Sequence, residues 1–433
     1  MTVPGSAVDV DPARWTLGHA ISEVKAGRLA ASDLRAACLR RIGDRDAELH
    51  AWAAVASTGA QAAEPGPLGG APVGVKDIVH VAGFPTRAGS AYYEARPGQD
   101  APAAARLRHA GAVILGKTTC TEFATNDPAV TVNPWDAART PGGSSPGSAV
   151  AVATGMCFGT LDTQTAGDVL RPAAYNGIVG FKPTYGLVSR EGTIGVAWSL
   201  DTLGVQARCV GDAGLLFRHL RATPGEVGAE GGNGQERPPS LGLLRDPLLE
   251  GDTEMLRQPD HIAHELAGAG AAVDEIRAPE PLEIAHAAHR VITFAECASL
   301  NAELYSRSAA RIGPKFRELI ELGMLTFAAD YLRAQRVRAR VARLLRAQLR
   351  RFDAILVPVA ADVAPGRGTT GDSTLQIPWT LSGFPALSLP TGLSRDRLPL
   401  AVQLVGAPGT DTRLLSTARW CEAALGVHIP PPR

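Results

Sequence analysis

The chain has 433 residues, 45% of them apolar and 20% charged, and its 43 basic residues equal its 43 acidic ones. That length is about three times a typical domain, and the composition is that of an ordinary folded protein, which excludes a disordered chain. Balanced charge offers no bulk attraction for nucleic acid or an anionic membrane, and no apolar run approaches the roughly eighteen residues of a membrane span.

Asp9, Asp11 and Glu23 interrupt the first thirty residues, so no signal-peptide pattern is present there. Six cysteines (Cys38, Cys120, Cys157, Cys209, Cys297 and Cys421) lie far apart with no C-x-x-C pair. This fits reduced thiols rather than a disulfide framework or zinc site, and a cytoplasmic location is expected. Only five basic residues are lysines (Lys25, Lys76, Lys117, Lys182 and Lys315), against thirty-eight arginines. Genomic composition is the plain cause of that bias. Arginine cannot deprotonate in a protein but a buried lysine can, so each lysine in an apolar setting is a candidate base.

In chain order, the N-terminal forty residues read as helices, with Leu29, Leu34, Ala37 and Leu39 on an apolar face and Ser32 as N-cap. A short strand follows, Pro72 to Val75, ending at Lys76-Asp77. Residues 101 to 110 read as a helix with Ala104, Leu107 and Ala110 inward, and Ala112 to Leu115 as a strand buried on both faces. The stretch from Gly142 to Gly204 is dense in Gly, Ser, Thr and Pro and reads as a loop system on a scaffold, with a small-residue helix at Ala149 to Ala153. Pro224 to Ser240 reads as a linker. Beyond it come strand Leu241 to Leu244, helix Glu254 to Leu266 and strand Ala271 to Ile276. A long basic helix, roughly Ala328 to Arg351, follows, with Leu332, Val337, Val341 and Leu345 as its apolar stripe and its arginines read as a solvated face. Strands Ala354 to Pro358 and Leu400 to Val405 and a closing helix complete the chain. Alternating strands and helices predict an α/β fold with a mixed sheet, residues 1–433 forming one domain.

Two motifs match in letters only. Gly111 to Thr118 fits G-x-x-x-x-G-K-[ST], but its middle tetrad is strand-forming and cannot be a phosphate loop. Gly143-Ser144-Ser145-Pro146-Gly147 fits G-x-S-x-G, yet Pro146 has no N–H to give an oxyanion. His286 and His289, without a third ligand, read as surface or core residues rather than a metal site.

Three segments remain: Pro72 to Asp77 with Lys76, Gly142 to Ser148, and Asp162 to Ala174. The last two can cluster backbone amides and neutral hydroxyls, because Gly and Ala permit close approach and Ser and Thr supply hydrogen bonds. A lysine desolvated beside them could act as a base. These segments, together with Gly180-Phe-Lys-Pro-Thr-Tyr-Gly, Phe352 to Pro358, Ser382 to Ala386 and Pro399 to Gly406, make the chain similar to the amidase signature family over nearly its whole length.

The resemblance implies a large, twisted, mixed β-sheet covered by helices on both faces, and a Ser-Ser-Lys hydrolase without metal or cofactor. Lys76 matches the family's base and Ser144 its relay serine, normally with a cis peptide nearby. Thr165, Ala166 and Gly167 match the oxyanion amides, with Gln164 close by and Ser145 in the serine loop. The nucleophile's position, however, is held by Asp168. Ala166 and Pro146 stand where the family has glycines, and Leu170 stands where it has an arginine, with Arg171 one residue on.

A carboxylate attacking an amide would form a mixed anhydride, a poor substitute for serine chemistry. Within about 4–6 Å of Lys76 it would also hold that lysine protonated. Three readings follow. Asp168 could serve different chemistry as a base, with Lys76 as electrophile and Ser144 as orienter. The chain could be an inactive binding or partner subunit. Ordinary amide hydrolysis could also persist through a displaced hydroxyl such as Ser145 or Thr165. A small-molecule substrate, no nucleic acid, no membrane and a possible homodimer are expected. Arg171 is expected to pair with Asp77, and Thr369 to Trp379 to wall the pocket with Trp379 as an apolar contact.

Overall fold

The computed structural model describes residues 11–56, 66–221, 237–427, 429, 430 and 432. Its strands are β1 (Trp52–Val55), β2 (Pro72–Lys76), β3 (Val113–Thr118), β4 (Gly159–Gln164), β5 (Val179–Lys182), β6 (Thr202–Ala207), β7 (Ser240–Arg245), β8 (Ala272–Arg277), β9 (Ala354–Pro358), β10 (Ala386–Leu393) and β11 (Pro399–Val405). They form one sheet in the order β1-β3-β2-β4-β6-β5-β10-β11-β9-β7-β8. Pairing is parallel where β2 meets β3 and β4, and where β7 meets β8 and β9, and antiparallel elsewhere. The sheet is therefore mixed.

The helices are α1 (Leu17–Lys25), α2 (Ala31–Leu49), α3 (Pro102–His109), α4 (Pro146–Ala153), α5 (Leu170–Asn176), α6 (Val210–Leu220), α7 (Glu254–Gly268), α8 (Glu283–Ser308), α9 (Pro314–Met324), α10 (Ala328–Leu349), α11 (Ile377–Leu381) and α12 (Asp411–Leu425). Every residue of β2, β4, β6, β9 and β11 is buried, on both pleat faces, so helices must cover the sheet on two sides. None of the helices among the described residues is long and apolar enough to cross a membrane.

Several sequence expectations change. The N-cap of α2 is Ala30 rather than Ser32, with the Asp33 carboxylate accepting the Ala30 N–H at 3.3 Å. In α10, Val341 and Leu345 are buried with Ala334 and Leu349, whereas Leu332 is 58% exposed. Of the expected linker, residues 224–236 lie outside the described residues, and Ser240 already belongs to β7.

The supposed loop system from Gly142 to Gly204 contains α4, β4, α5, β5 and the first half of β6. Polar residues hid these elements: Thr160, Asp162, Thr163 and Gln164 of β4 are all buried. The Gly116-Lys117-Thr118 tripeptide lies within β3, so it cradles no phosphate. Gly116 is required there because a Cβ would sit 2.0 Å from the Ala54 carbonyl oxygen of β1.

Candidate active site

Lys76 ends β2, beside β4, and its side chain is fully buried. Its ammonium nitrogen donates to Ser144 Oγ at 2.7 Å, Thr163 Oγ1 at 3.0 Å and the Thr163 carbonyl at 3.4 Å. Burial is the largest influence and pulls its pKa below the ordinary lysine value, although Asp168, Cys120 and Asp162 pull the other way.

Ser144 comes from the loop ahead of α4, whose first residue is Pro146. Proline suits that place, where a helix leaves an N–H unpaired anyway. The Gly143–Ser144 peptide is cis. Ser145 precedes α4, is fully buried and faces the Asp162 carboxylate.

The loop after β4 carries the other half of the site. Asp168 Oδ2 accepts the N–H groups of Thr165 at 2.8 Å and Ala166 at 2.9 Å, and Oδ1 accepts that of Ser144 at 3.1 Å. Two amides converging on one anionic oxygen are the arrangement that stabilises an oxyanion. Burial would push the Asp168 carboxyl up, but the Lys76 and Arg171 charges and the Ala166 and Thr165 amides together hold it below the usual carboxylate range.

The expected direct pairing of Asp168 with Lys76 is not made. Ser144 stands between them, its hydroxyl on the lysine and its amide on the aspartate. The lysine is thus not pinned by a contact ion pair, and desolvation dominates it. Arg171 does not meet Asp77 either: its guanidinium donates to the Gly143 carbonyl at 2.7 Å. Asp77 instead pairs with the buried Lys117 at 3.1 Å.

Gln164 is spent structurally. Its carbonyl oxygen accepts the Val169 and Leu170 N–H groups at 3.0 and 3.1 Å, satisfying amides at the start of α5. Gly167 abuts the Gln376 side chain, where a Cβ would lie 2.5 Å from Oε1. The 369–379 segment does wall this region, with Thr370 against Gly143 and Ser373 against Gly167. Trp379 is not a pocket contact: it is fully buried in the core, its indole N–H on the Leu375 carbonyl. A cavity of ≈ 30 Å³ between Thr163, Thr165 and Asp201 has room for about one water. Burial pushes the Cys120 thiol up to about 12 and the Cys157 thiol higher still, so neither is a ready nucleophile.

His289, read from sequence as a surface or core residue, belongs to the site. From α8 its Nε2 lies 2.8 Å from the Thr165 carbonyl oxygen, so the neutral ring donates there. This fixes the peptide whose other end is the Ala166 N–H. Thr380 and Asp201 brace the same loop, through the Ala166 carbonyl at 2.7 Å and Thr165 Oγ1 at 2.6 Å. No local pattern could reveal these partners, because His289 lies 124 residues from Thr165 and Thr380 lies 214 from Ala166.

Burial holds the His289 imidazole down at about 4. An unfolded histidine titrates near 6.5, so the stability it contributes is full above that pH and lost as pH falls toward the folded value. The unfolding free energy of the native chain relative to His289→Gln is expected to drop by about 3 kcal/mol between roughly pH 7 and pH 4. Denaturant titrations across that range check this, and a pH-independent difference would contradict it.

A family model described as Amidase matches residues 26–415. The A-type subunit of glutamyl-tRNA(Gln) amidotransferase from Symbiobacterium thermophilum is 34% identical over 469 residues, covering 93% of this chain and 95% of its own. The subunit of the same name from Anaeromyxobacter sp. (strain K) is 34% identical over 489 residues, covering 97% and 98%. Among solved structures, an amidase superposes with a TM-score of 0.85 at 31% identity, over 94% of this chain and 99% of its own. The native peptide amidase of Stenotrophomonas maltophilia gives 0.81 at 27%, over 97% and 98%. These relatives correct one expectation. A small-molecule substrate, no nucleic acid and a possible homodimer do not fit a chain whose full-length relatives are named as subunits of a glutamyl-tRNA amidotransferase.

Proposed function

The chain belongs to the amidase family of enzymes acting on C–N bonds, and from that premise we propose that it is an A-type subunit of an amidotransferase-like assembly working on a tRNA-borne acyl group, its own serine-type chemistry closed by Asp168. The observation that carries this reading is the seat of the Asp168 carboxylate on the Ser144, Thr165 and Ala166 amides. Two of those donors, the Thr165 and Ala166 amides, are ones that the family resemblance assigns to the oxyanion of a tetrahedral intermediate. A carboxylate held by three N–H groups, with its pKa lowered, is a poor nucleophile and a poor base. This disfavours Asp168 as the general base of a redirected reaction.

A second reading rests on the Lys76–Ser144 contact of 2.7 Å. A lysine with a lowered pKa against a hydroxyl can activate that hydroxyl. Ser144 would then attack a carbonyl once Asp168 had left the amides. Ammonia release from glutamine and simple amides separates the two, measured for the native chain and Ser144→Ala. Under the closed-site reading neither releases ammonia above background. Turnover by the native chain that Ser144→Ala abolishes would establish the second reading instead.

A further inference from the structure

Along α10, Arg343, Arg346 and Arg350 stand at i, i+3 and i+7, which places them on one face of the helix. Arg336 extends the row seven residues earlier, so the row rises about 21 Å along the helix axis. Arg346 and Arg350 line a cleft of ≈ 460 Å³ whose opposite wall carries Arg413 from the first turn of α12, above a floor of Leu349 and Phe352.

All five arginines are exposed, and none makes an ion pair among the described residues. Some arginines elsewhere on the surface do meet acids, as where Arg245 meets Asp260 and Glu275, Arg87 meets Glu94 and Arg257 meets Asp252. Asp411, the acidic residue in the first turn of α12, turns inward to Thr184 at 2.6 Å and does not neutralise the cleft. The positive end of a fifteen-residue helix adds to the field. In a chain whose charges balance, this is a local excess.

The cleft lies at the end of β9 where Phe352 enters, whereas the Asp168 site lies beyond the other end, where Gln376 meets Val359. It is separate from the amide cradle. The exposed apolar side chains that a lipid surface would take, Met324, Leu325 and Phe327, are at the far end of α10.

We propose that this cleft docks the sugar–phosphate backbone of structured RNA, Arg346, Arg350 and Arg413 gripping successive phosphates and Arg343 and Arg336 extending the track. The proposal rests on the reading of a tRNA-borne substrate and supplies the surface that reading lacks. Guanidinium groups suit phosphate because they can donate two parallel hydrogen bonds.

The test is anisotropy of a labelled tRNA transcript titrated with the full chain, at salt from about 50 to about 200 mM. Arg346→Glu/Arg350→Glu/Arg413→Glu is expected to weaken binding at least tenfold and to reduce the slope of log affinity against log salt by roughly two to three. Arg257→Glu, elsewhere on the surface, should leave both unchanged, and thermal unfolding should show all chains equally folded. The proposal is overturned if the native chain does not bind tRNA, if the triple variant binds as well as native, or if the control loses as much. It is also overturned if anionic phospholipid vesicles, rather than tRNA, are what the triple variant ceases to bind. Ammonia release is read separately, so loss of RNA docking leaves the closed-site reading standing, and an active native chain leaves the docking result standing.

Discussion

Asp168→Ser is expected to give the chain amide hydrolysis at least about 100-fold above the native background, read as ammonia release under saturating glutamine or a simple amide. Losing a single oxyanion donor typically costs about 10²–10³ in rate, and the substitution vacates the Thr165 and Ala166 amides together. It also places a hydroxyl beside Ser144, which already contacts Lys76. With the carboxylate gone, Lys76 loses the foremost of the charges that oppose its desolvation, so its pKa should fall further and its basicity at neutral pH become usable. Asp168→Asn is the necessary partner, because it removes the charge and supplies no nucleophile. It should remain inactive. Equal activation by Ser and Asn would show that charge alone closed the site, whereas no activation by Ser would mean that another feature of the pocket keeps it shut.

The largest loss of stability is expected at Lys117 and Asp77. Their side chains are 0% and 2% exposed and meet at 3.1 Å, with Thr86 Oγ1 also 3.1 Å from the ammonium. Burial pulls the Lys117 pKa down and pushes that of Asp77 up, while the pair and its hydrogen bonds oppose both changes. Lys117→Met leaves a buried carboxylate without its cation, at a cost of about 3–5 kcal/mol. Replacing both with Lys117→Met/Asp77→Leu should recover at least half of that, since a desolvated pair is often worth no more than apolar groups of similar volume. Denaturant midpoints of the three chains check this. A single-variant loss below about 1 kcal/mol would mean that water reaches the site.

What is legible in the sequence follows from what each residue needs locally. β2, β3 and β9 are short apolar runs, and α7 and α10 show helical periodicity, so these elements can be read directly. β4 hides among loops because its inward residues are Thr, Asp and Gln, serving Lys76 and the start of α5 rather than a greasy core. Lys76, Ser144 and Asp168 can be singled out because residue type and family pattern mark them. How Asp168 and Lys76 face each other cannot. That depends on whether the carboxylate takes the ammonium or the loop amides, and three N–H donors within 3.1 Å decide it here. His289 and Thr380 carry no signal at all, since their task exists only once distant helices close on the loop.

That last arrangement bears on how the chain is made. When the ribosome has delivered Lys76, Ser144 and Asp168, the braces from α8 and α11 are still unsynthesised, and the Thr165 and Ala166 carbonyls have no partners. A nascent chain stopped before α8 would hold both carbonyls against half-built walls, open to water and to other chains, and one stopped before Thr380 would still leave that of Ala166 so. The centre can therefore set only late in translation, and C-terminal truncation should cost solubility as well as a helix.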